Sequence, residues 1–343
     1  MGLTTEQINE IRKELDTSFN PLFFFDDDPD GLASFLLLYR YVHEGHGIVV
    51  KATPDLRVDF ARRVEEYMPD KVFVLDKPDV SQDFIDNVRV KIIWLDHHYP
   101  VKRHGIKYYN PRIKNKNDYR PTSYWCYKVV NQDLWIAMTG IIGDWYLPGF
   151  RIKFYKEFPD LLPKNIKNPE DALYKTRIGL LAKIFSFVMK GKTTEVLQAI
   201  KVITRIKSPY EILDQTSPQG KFIYNRYLKI KQIYDELLEE AKKQSKDKGK
   251  LLIYTYTDIK MSFTGDLSNE LLYLFPNKII IIGRLKSGEM KCSLRSSKIK
   301  ILPIITKALE GIDGYGGGHD LACGACIKKK DWDRFLDRFT KLL

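Results

Sequence analysis

Four short apolar runs punctuate the first hundred residues: LFFF (22–25), GIVV (47–50), VFVL (72–75) and IIWL (92–95). A strand that is apolar throughout must be covered on both faces, and parallel sheets flanked by helices provide that cover. Between the runs lie stretches of helical period, GLASFLLLYRYVHE, PDLRVDFARRVEEYM and SQDFIDNV. Strands alternating with helices predict an α/β domain built on a parallel sheet.

Further helices are expected at 122–131 and 133–143, then a mixed helical region from about 165 to 205. Residues 210–245 are polar and helix-forming and end in EEAKKQSKDKGK, which reads as a connecting helix fraying into a linker. A second domain is expected from LLIYTY (251–256), with a helix near 266–275 and strands at KIIIIG (278–283) and MKCSLRSS. A helix near 301–310, a Gly-rich turn and a last helix complete it. The expected division is 1–205, including a helical extension over 151–205, a helical connector at 206–249, and a smaller α/β domain at 250–343.

Three of the four N-terminal runs end in aspartate. LFFF leads into Asp26, Asp27, Asp28, Pro29, Asp30 and Gly31, VFVL into Asp76, and IIWL into Asp96, His97 and His98. Ligands of open parallel sheets bind at the carboxyl ends of the strands. Carboxylates gathered there repel one another unless a cation neutralises them. Asp28 and Asp30, two apart, would point the same way in extended chain. Asp144 closes the apolar stretch MTGIIGDW. One such Asp alone is an ordinary helix cap or turn residue. Several hard carboxylates with one or two imidazoles match divalent ions such as Mg or Mn, and two such ions would suit phosphate-ester cleavage.

These stretches together resemble the DHH phosphoesterase superfamily, in its RecJ-like branch. DDDPDGLAS (26–34), VFVLD, LDHH and GIIGD are similar to its first four motifs, and YNPR (109–112) and PTS (121–123) to the stretch between the third and fourth. SLRSS (293–297) and GYGGGHDLACGA (314–325) resemble the DHH-associated C-terminal domain. The resemblance implies Asp28, Asp30, Asp76, His97 and Asp144 as ligands of two Mn (or Mg) ions, with Asp76 bridging. It implies His98 beside them, holding or protonating the scissile phosphate, and Asp96 orienting the imidazoles. Arg295, Gly317, Gly318 and His319 would grip phosphate from the second domain across a cleft. One departure concerns a histidine that many members carry shortly before the first Asp. Phe24 and Asp26 stand at the corresponding positions, with Asp26 as the substitute ligand or supporting acid.

The activity implied is metal-dependent exonucleolytic hydrolysis of single-stranded DNA or RNA, as in DNA repair. Alternatives are a phosphodiesterase for short oligoribonucleotides or cyclic dinucleotides, and a replication or repair scaffold with a helicase or replisome partner. A balance of 56 Lys+Arg against 44 Asp+Glu, net +12, agrees with a polyanionic substrate. Residues 102–120, KRHGIKYYNPRIKNKNDYR, mix seven Lys/Arg with Tyr108, Tyr109 and Tyr119, a composition suited either to tracking a single strand or to a solvated loop with core tyrosines.

Other features suggest less. Four cysteines make no disulfide framework, and the lone Cys323–Cys326 pair lacks the second pair a zinc site needs. His43 and His46 read as surface residues where a helix stops at Gly45 and Gly47. No signal peptide or membrane span is evident, so a cytoplasmic location without membrane contact is expected.

Overall fold

The structure, a computed structural model, describes residues 2–51, 55–244, 249–257 and 261–343. It divides into two compact units, Met1–Tyr227 and Leu228–Leu343.

The first unit opens with α1 (Thr5–Asp16), β1 (Pro21–Asp26), α2 (Pro29–Val42) and β2 (His46–Val50). Next come β3 (Asp55–Leu56), α3 (Ala61–Tyr67), β4 (Lys71–Leu75), β5 (Asp79–Val80) and α4 (Gln82–Asn87). Then follow β6 (Lys91–Leu95), β7 (Lys107–Tyr109), α5 (Thr122–Val130) and α6 (Leu134–Gly143). Helices α7 (Arg151–Glu157), α8 (Pro169–Lys175), α9 (Arg177–Val188), α10 (Thr193–Ile203) and α11 (Pro209–Leu213) lead to α12 (Pro218–Gln244), within which the division between units falls.

Five strands form a parallel sheet in the order β2-β1-β4-β6-β7. Alternate side chains serve opposite faces. Leu22, Phe24, Val72, Val74, Ile92 and Trp94 join one core with Leu56, Val64 and Phe84. On the other face Phe23 stacks on Phe73 at 5.2 Å and Phe25 on Phe35 of α2 at 4.6 Å. Each phenylalanine so buried contributes roughly 2–3 kcal/mol. Helix α2 is apolar nearly all round because it also packs on α5, α6 and α9. The order reverses between β1 and β4, where a doubly wound sheet opens a crevice at its carboxyl edge.

Several expected elements differ. PDLRVDFARRVEEYM is α-helical only over Ala61–Tyr67, preceded by a 3-10 turn at Val58–Phe60, because Leu56 pairs in β3 with Val80 of β5; Pro54 lies outside the described residues. Helix α2 stops on His43 in the left-handed region (φ 60°), ahead of Gly45, while Gly47 belongs to β2. Both His43 and His46 are exposed. The fraying of the linker was expected over residues that include 245–248, which lie outside the described set.

The second unit carries β8 (Leu251–Thr257), α13 (Thr264–Leu274), β9 (Ile279–Lys286), β10 (Glu289–Arg295), α14 (Leu302–Ala308), β11 (Gly314–His319), β12 (Ala322–Lys328) and α15 (Trp332–Lys341). Its mixed sheet runs β11-β12-β10-β9-β8, with β8 and β9 parallel and the other pairs antiparallel. The expected Gly-rich turn is the exposed edge strand β11, since its backbone pairs with β12 residue for residue. Among the described residues no helix is long and apolar enough to cross a membrane.

Candidate active site

The residues after β1 are not extended. Asp28 is the N-cap of α2, its carboxylate accepting from Gly31 N at 2.8 Å, and Asp30 lies in the first helical turn. Alternation along a strand therefore does not explain their pairing; a helix N-terminus aimed at the carboxyl edge of the sheet does. Gly31 allows the turn, because a Cβ there would lie 2.5 Å from Asp26 O.

Asp30 is buried and held from the start of α5. Its Oδ2 accepts from Thr122 N at 2.7 Å and its Oδ1 from Ser123 N at 2.9 Å and from the Ser123 hydroxyl. Two N–H groups that no helical carbonyl can reach are thereby satisfied. The Thr122 hydroxyl donates to Asp76 Oδ1 at 2.9 Å. Asp76, 1% exposed, follows β4 with φ 59°, a conformation Asp tolerates better than most side chains. Asp144 is the C-cap of α6.

The Asp-His-His stretch leaves β6 into this group. His97 Nε2 stands 3.4 Å from Asp76 Oδ1 and 3.7 Å from Asp144 Oδ2. His98 Nδ1 lies 2.7 Å from Asp96 Oδ1 and so donates to it, and His98 N donates to Asp96 Oδ2 at 3.0 Å. Asp96 is fully buried, and it also accepts from Asn110 Nδ2 at 3.0 Å and the Tyr108 hydroxyl at 3.3 Å. Through these bonds it orients the His98 imidazole.

The electrostatics are those of crowded acids. Burial, then the charges of Asp26 and Asp30, push the Asp28 carboxyl up to about 7. Burial and the neighbouring carboxylates Asp30 and Asp28 hold Asp76 and Asp144 well above the usual carboxylate range. For His98 burial opposes protonation, but Asp96, then Asp144 and Asp26, outweigh it and raise the imidazole to about 9. Ligand atoms of Asp76, His97 and His98 lie within 4.8 Å of one another, as do those of Asp30, His97 and Asp144. Buried acids that raise one another's pKa, beside imidazole nitrogen, fit hard divalent cations. Of the expected metal ligands, Asp30, Asp76, His97 and Asp144 enter these groups and Asp28 does not, while His98, expected in catalysis, does. Asp26 enters neither; its Oδ1 pairs at 2.7 Å with Lys77 Nζ, whose side chain is fully buried.

The N-terminal domain of the DHH family matches residues 22–141, and the DHHA1 domain matches residues 248–343. The chain belongs to the DHH superfamily. As a DHH protein it is a phosphoesterase with RecJ-like architecture. Similar solved structures include an exonuclease RecJ bound to manganese, with TM-score 0.65 and 15% identity over 98% of this chain and 94% of that one. RecJ from Thermus thermophilus in complex with Mn2+ gives TM-score 0.64 and 14% identity, over 99% of this chain and 55% of that one. The DHH domain of a protein described as a member of a ribosomal-protein family gives 0.69 and 15%, over 98% and 89%. At such identities the likeness is one of fold. A search of curated protein sequences found no match.

In the DHHA1 unit, Arg295 of β10 and His319 of β11 both stand opposite Ala322 of β12. They share one row, and so one face, of that sheet. Arg295 is oriented by Asn269 Oδ1 at 2.7 Å and by the carbonyls of Leu294 and Cys323. Gly318 has φ +139°, which requires glycine, whereas a Cβ on Gly317 would meet nothing within 4 Å. Cys323 and Cys326 are buried in β12 and enter no metal-holding group among the described residues.

Thr122, Ser123, Asn110 and Lys77 hold the acids, yet sequence reasoning assigned them no role. PTS and YNPR were visible as motifs. A proline before Thr-Ser at a helix start was the available signal for the first pair. Nothing local marks Lys77.

Proposed function

We propose that this DHH protein is a divalent-cation-dependent phosphodiesterase that shortens single-stranded DNA or RNA from an end. The observation that carries the reading is the pair of donor groups sharing His97 at the carboxyl edge of the sheet. Asp30, Asp76, His97 and Asp144, with Asp28 at the α2 N-terminus, would hold two ions of the Mn or Mg type. Bound there, such ions supply Lewis-acid charge to phosphoryl oxygens and make a water nucleophilic at neutral pH.

The chain's own groups do the rest. Thr122 and Ser123 fix Asp30 and Asp76, so the carboxylates need no rearrangement when substrate arrives. Asp96 fixes His98 through Nδ1 and favours its protonated form, leaving Nε2 to donate to a phosphate oxygen or leaving group. Arg295 and His319, with the backbone at Gly317 and Gly318, are proposed to bind a substrate phosphate. The description of a RecJ relative as an exonuclease bound to manganese supports the exonuclease assignment and a divalent ion of the Mn type.

The test uses single-stranded DNA and RNA of one sequence, labelled at either end, with Mn, Mg or EDTA. Metal-dependent shortening by the parent, lost in Asp76→Asn, is the expected result. Cleavage of very short strands alone would move the assignment to an oligonucleotide phosphodiesterase. Binding without cleavage in any metal would make the protein a scaffold.

A further inference from the structure

The basic stretch beyond β6 sorts into committed and uncommitted groups. Arg103 pairs with Asp79 at 2.7 Å, Lys107 with Glu10 and Glu14, and Arg120 with Asp118. Tyr108 stacks on Trp94 at 3.8 Å and Tyr109 is buried, so both belong to the core.

Arg112 is different. It is 3% exposed, pairs with no carboxylate among the described residues, and its buried Nε has no hydrogen-bond partner. Its guanidinium carbon sits 3.9 Å from the centroid of the Tyr99 ring and 5.0 Å from that of Tyr119. Those rings are 58% and 57% exposed. Burying a cation without an anion is costly, and two ring faces offset only part of that cost.

The cluster is tied to the active site. Tyr99 follows His98 in the chain. Arg112 N donates to Asn110 Oδ1 at 2.8 Å, and Asn110 Nδ2 donates to Asp96 Oδ2 and to His98 O. The carboxylate that orients His98 therefore also anchors the turn that carries Arg112.

We propose that Tyr99, Arg112 and Tyr119 form a nucleotide subsite beside the active site. Bases of a single strand stack on the two exposed rings, and the guanidinium supplies positive charge for the phosphate joining them. Stacking on aromatic rings tolerates any base, as a strand-shortening enzyme requires. The inference rests on the phosphodiesterase reading for its substrate class.

Fluorescence anisotropy in EDTA tests it on the full chain, using an oligothymidylate and an abasic strand of equal length. The parent is expected to bind the base-bearing strand about tenfold more tightly. That preference should fall in Tyr99→Ala and in Tyr119→Ala, collapse when both are replaced, and persist in the Phe variants. Arg112→Gln should weaken both strands alike; if it fails to fold, the exposed tyrosines still decide. A parent without the preference, or alanine variants that keep it, would overturn the subsite. Binding is read without hydrolysis, so these outcomes are separate from those of the cleavage assay.

Discussion

Asp76 is held almost without solvent among Asp30, Asp28 and Asp144, so its ionised form is penalised when no cation is present. A carboxyl raised in this way retains its proton longer folded than unfolded, so the metal-free protein loses stability as pH climbs above 3.8. Asp76→Asn removes that penalty and keeps an oxygen for the Thr122 hydroxyl. It is expected to raise the Tm in EDTA by a few degrees, at about 2–4 °C per kcal/mol, and to abolish the further rise that Mn gives the parent. A lower Tm in EDTA would refute the repulsion argument. The Asp26–Lys77 pair is a second residue-scale case, because the lysine side chain is fully buried. The Asp26 carboxylate is 23% exposed, so losing one member of this half-buried pair costs about 1–3 kcal/mol. Asp26→Asn and Lys77→Met should each destabilise, and the double variant should fall short of their sum by at least about 1 kcal/mol in urea unfolding. The run DDDPD showed that acids gather after β1, but not that Asp26 turns towards a lysine fifty-one positions on.

At the scale of elements, the turn from β1 into α2 places Asp28 and Asp30, and Gly31 leaves it no room. A Cβ at Gly31 would lie 2.5 Å from Asp26 O and 2.8 Å from Asp26 N, both backbone atoms that cannot move aside cheaply. Gly31→Ala should cost about 1–3 kcal/mol and weaken Mn binding in calorimetric titration. Gly149→Ala, where a Cβ meets nothing within 4 Å, is the control expected to do neither. Helix α1 is fastened to the sheet through Glu14, which is 8% exposed and pairs with Lys71, Lys91 and Lys107. Burial pushes its carboxyl up, but hydrogen bonds from Lys91, Lys107 and Lys71 prevail and bring it to about 2. The stabilisation is therefore complete above 4.5 and fades as pH falls towards about 2. The gap between parent and Glu14→Gln, on the order of 2 kcal/mol at neutral pH, should close across that window; a constant gap would deny the ion pairs their role.

For the whole molecule, net charge +12 implies that the proposed strand binding would be salt-dependent. Affinity for single strands should fall with a log–log slope of about −0.7 for each phosphate contacted. A flat response to salt would count against a nucleic-acid substrate. The alternating apolar runs determined the parallel sheet, since a strand apolar on both faces must be covered by helices on both. The acids closing those runs marked the edge where carboxylates and imidazoles gather, and the motifs in their order identified the superfamily. Periodicity could not foresee that β3 would claim Leu56 from a helix, or that Gly314–His319 would pair as an edge strand. Leu56 pairs with Val80, twenty-four positions on, while Gly314–His319 pairs with the neighbouring strand β12 in a hairpin; in both cases backbone pairing overrode local propensity. Only the tertiary structure joined Thr122 and Ser123 to Asp30 and Asp76, and Arg112 to two tyrosine rings. Such contacts depend on which residues meet in three dimensions, and no local pattern in the chain encodes that Thr122 meets Asp30, ninety-two positions away.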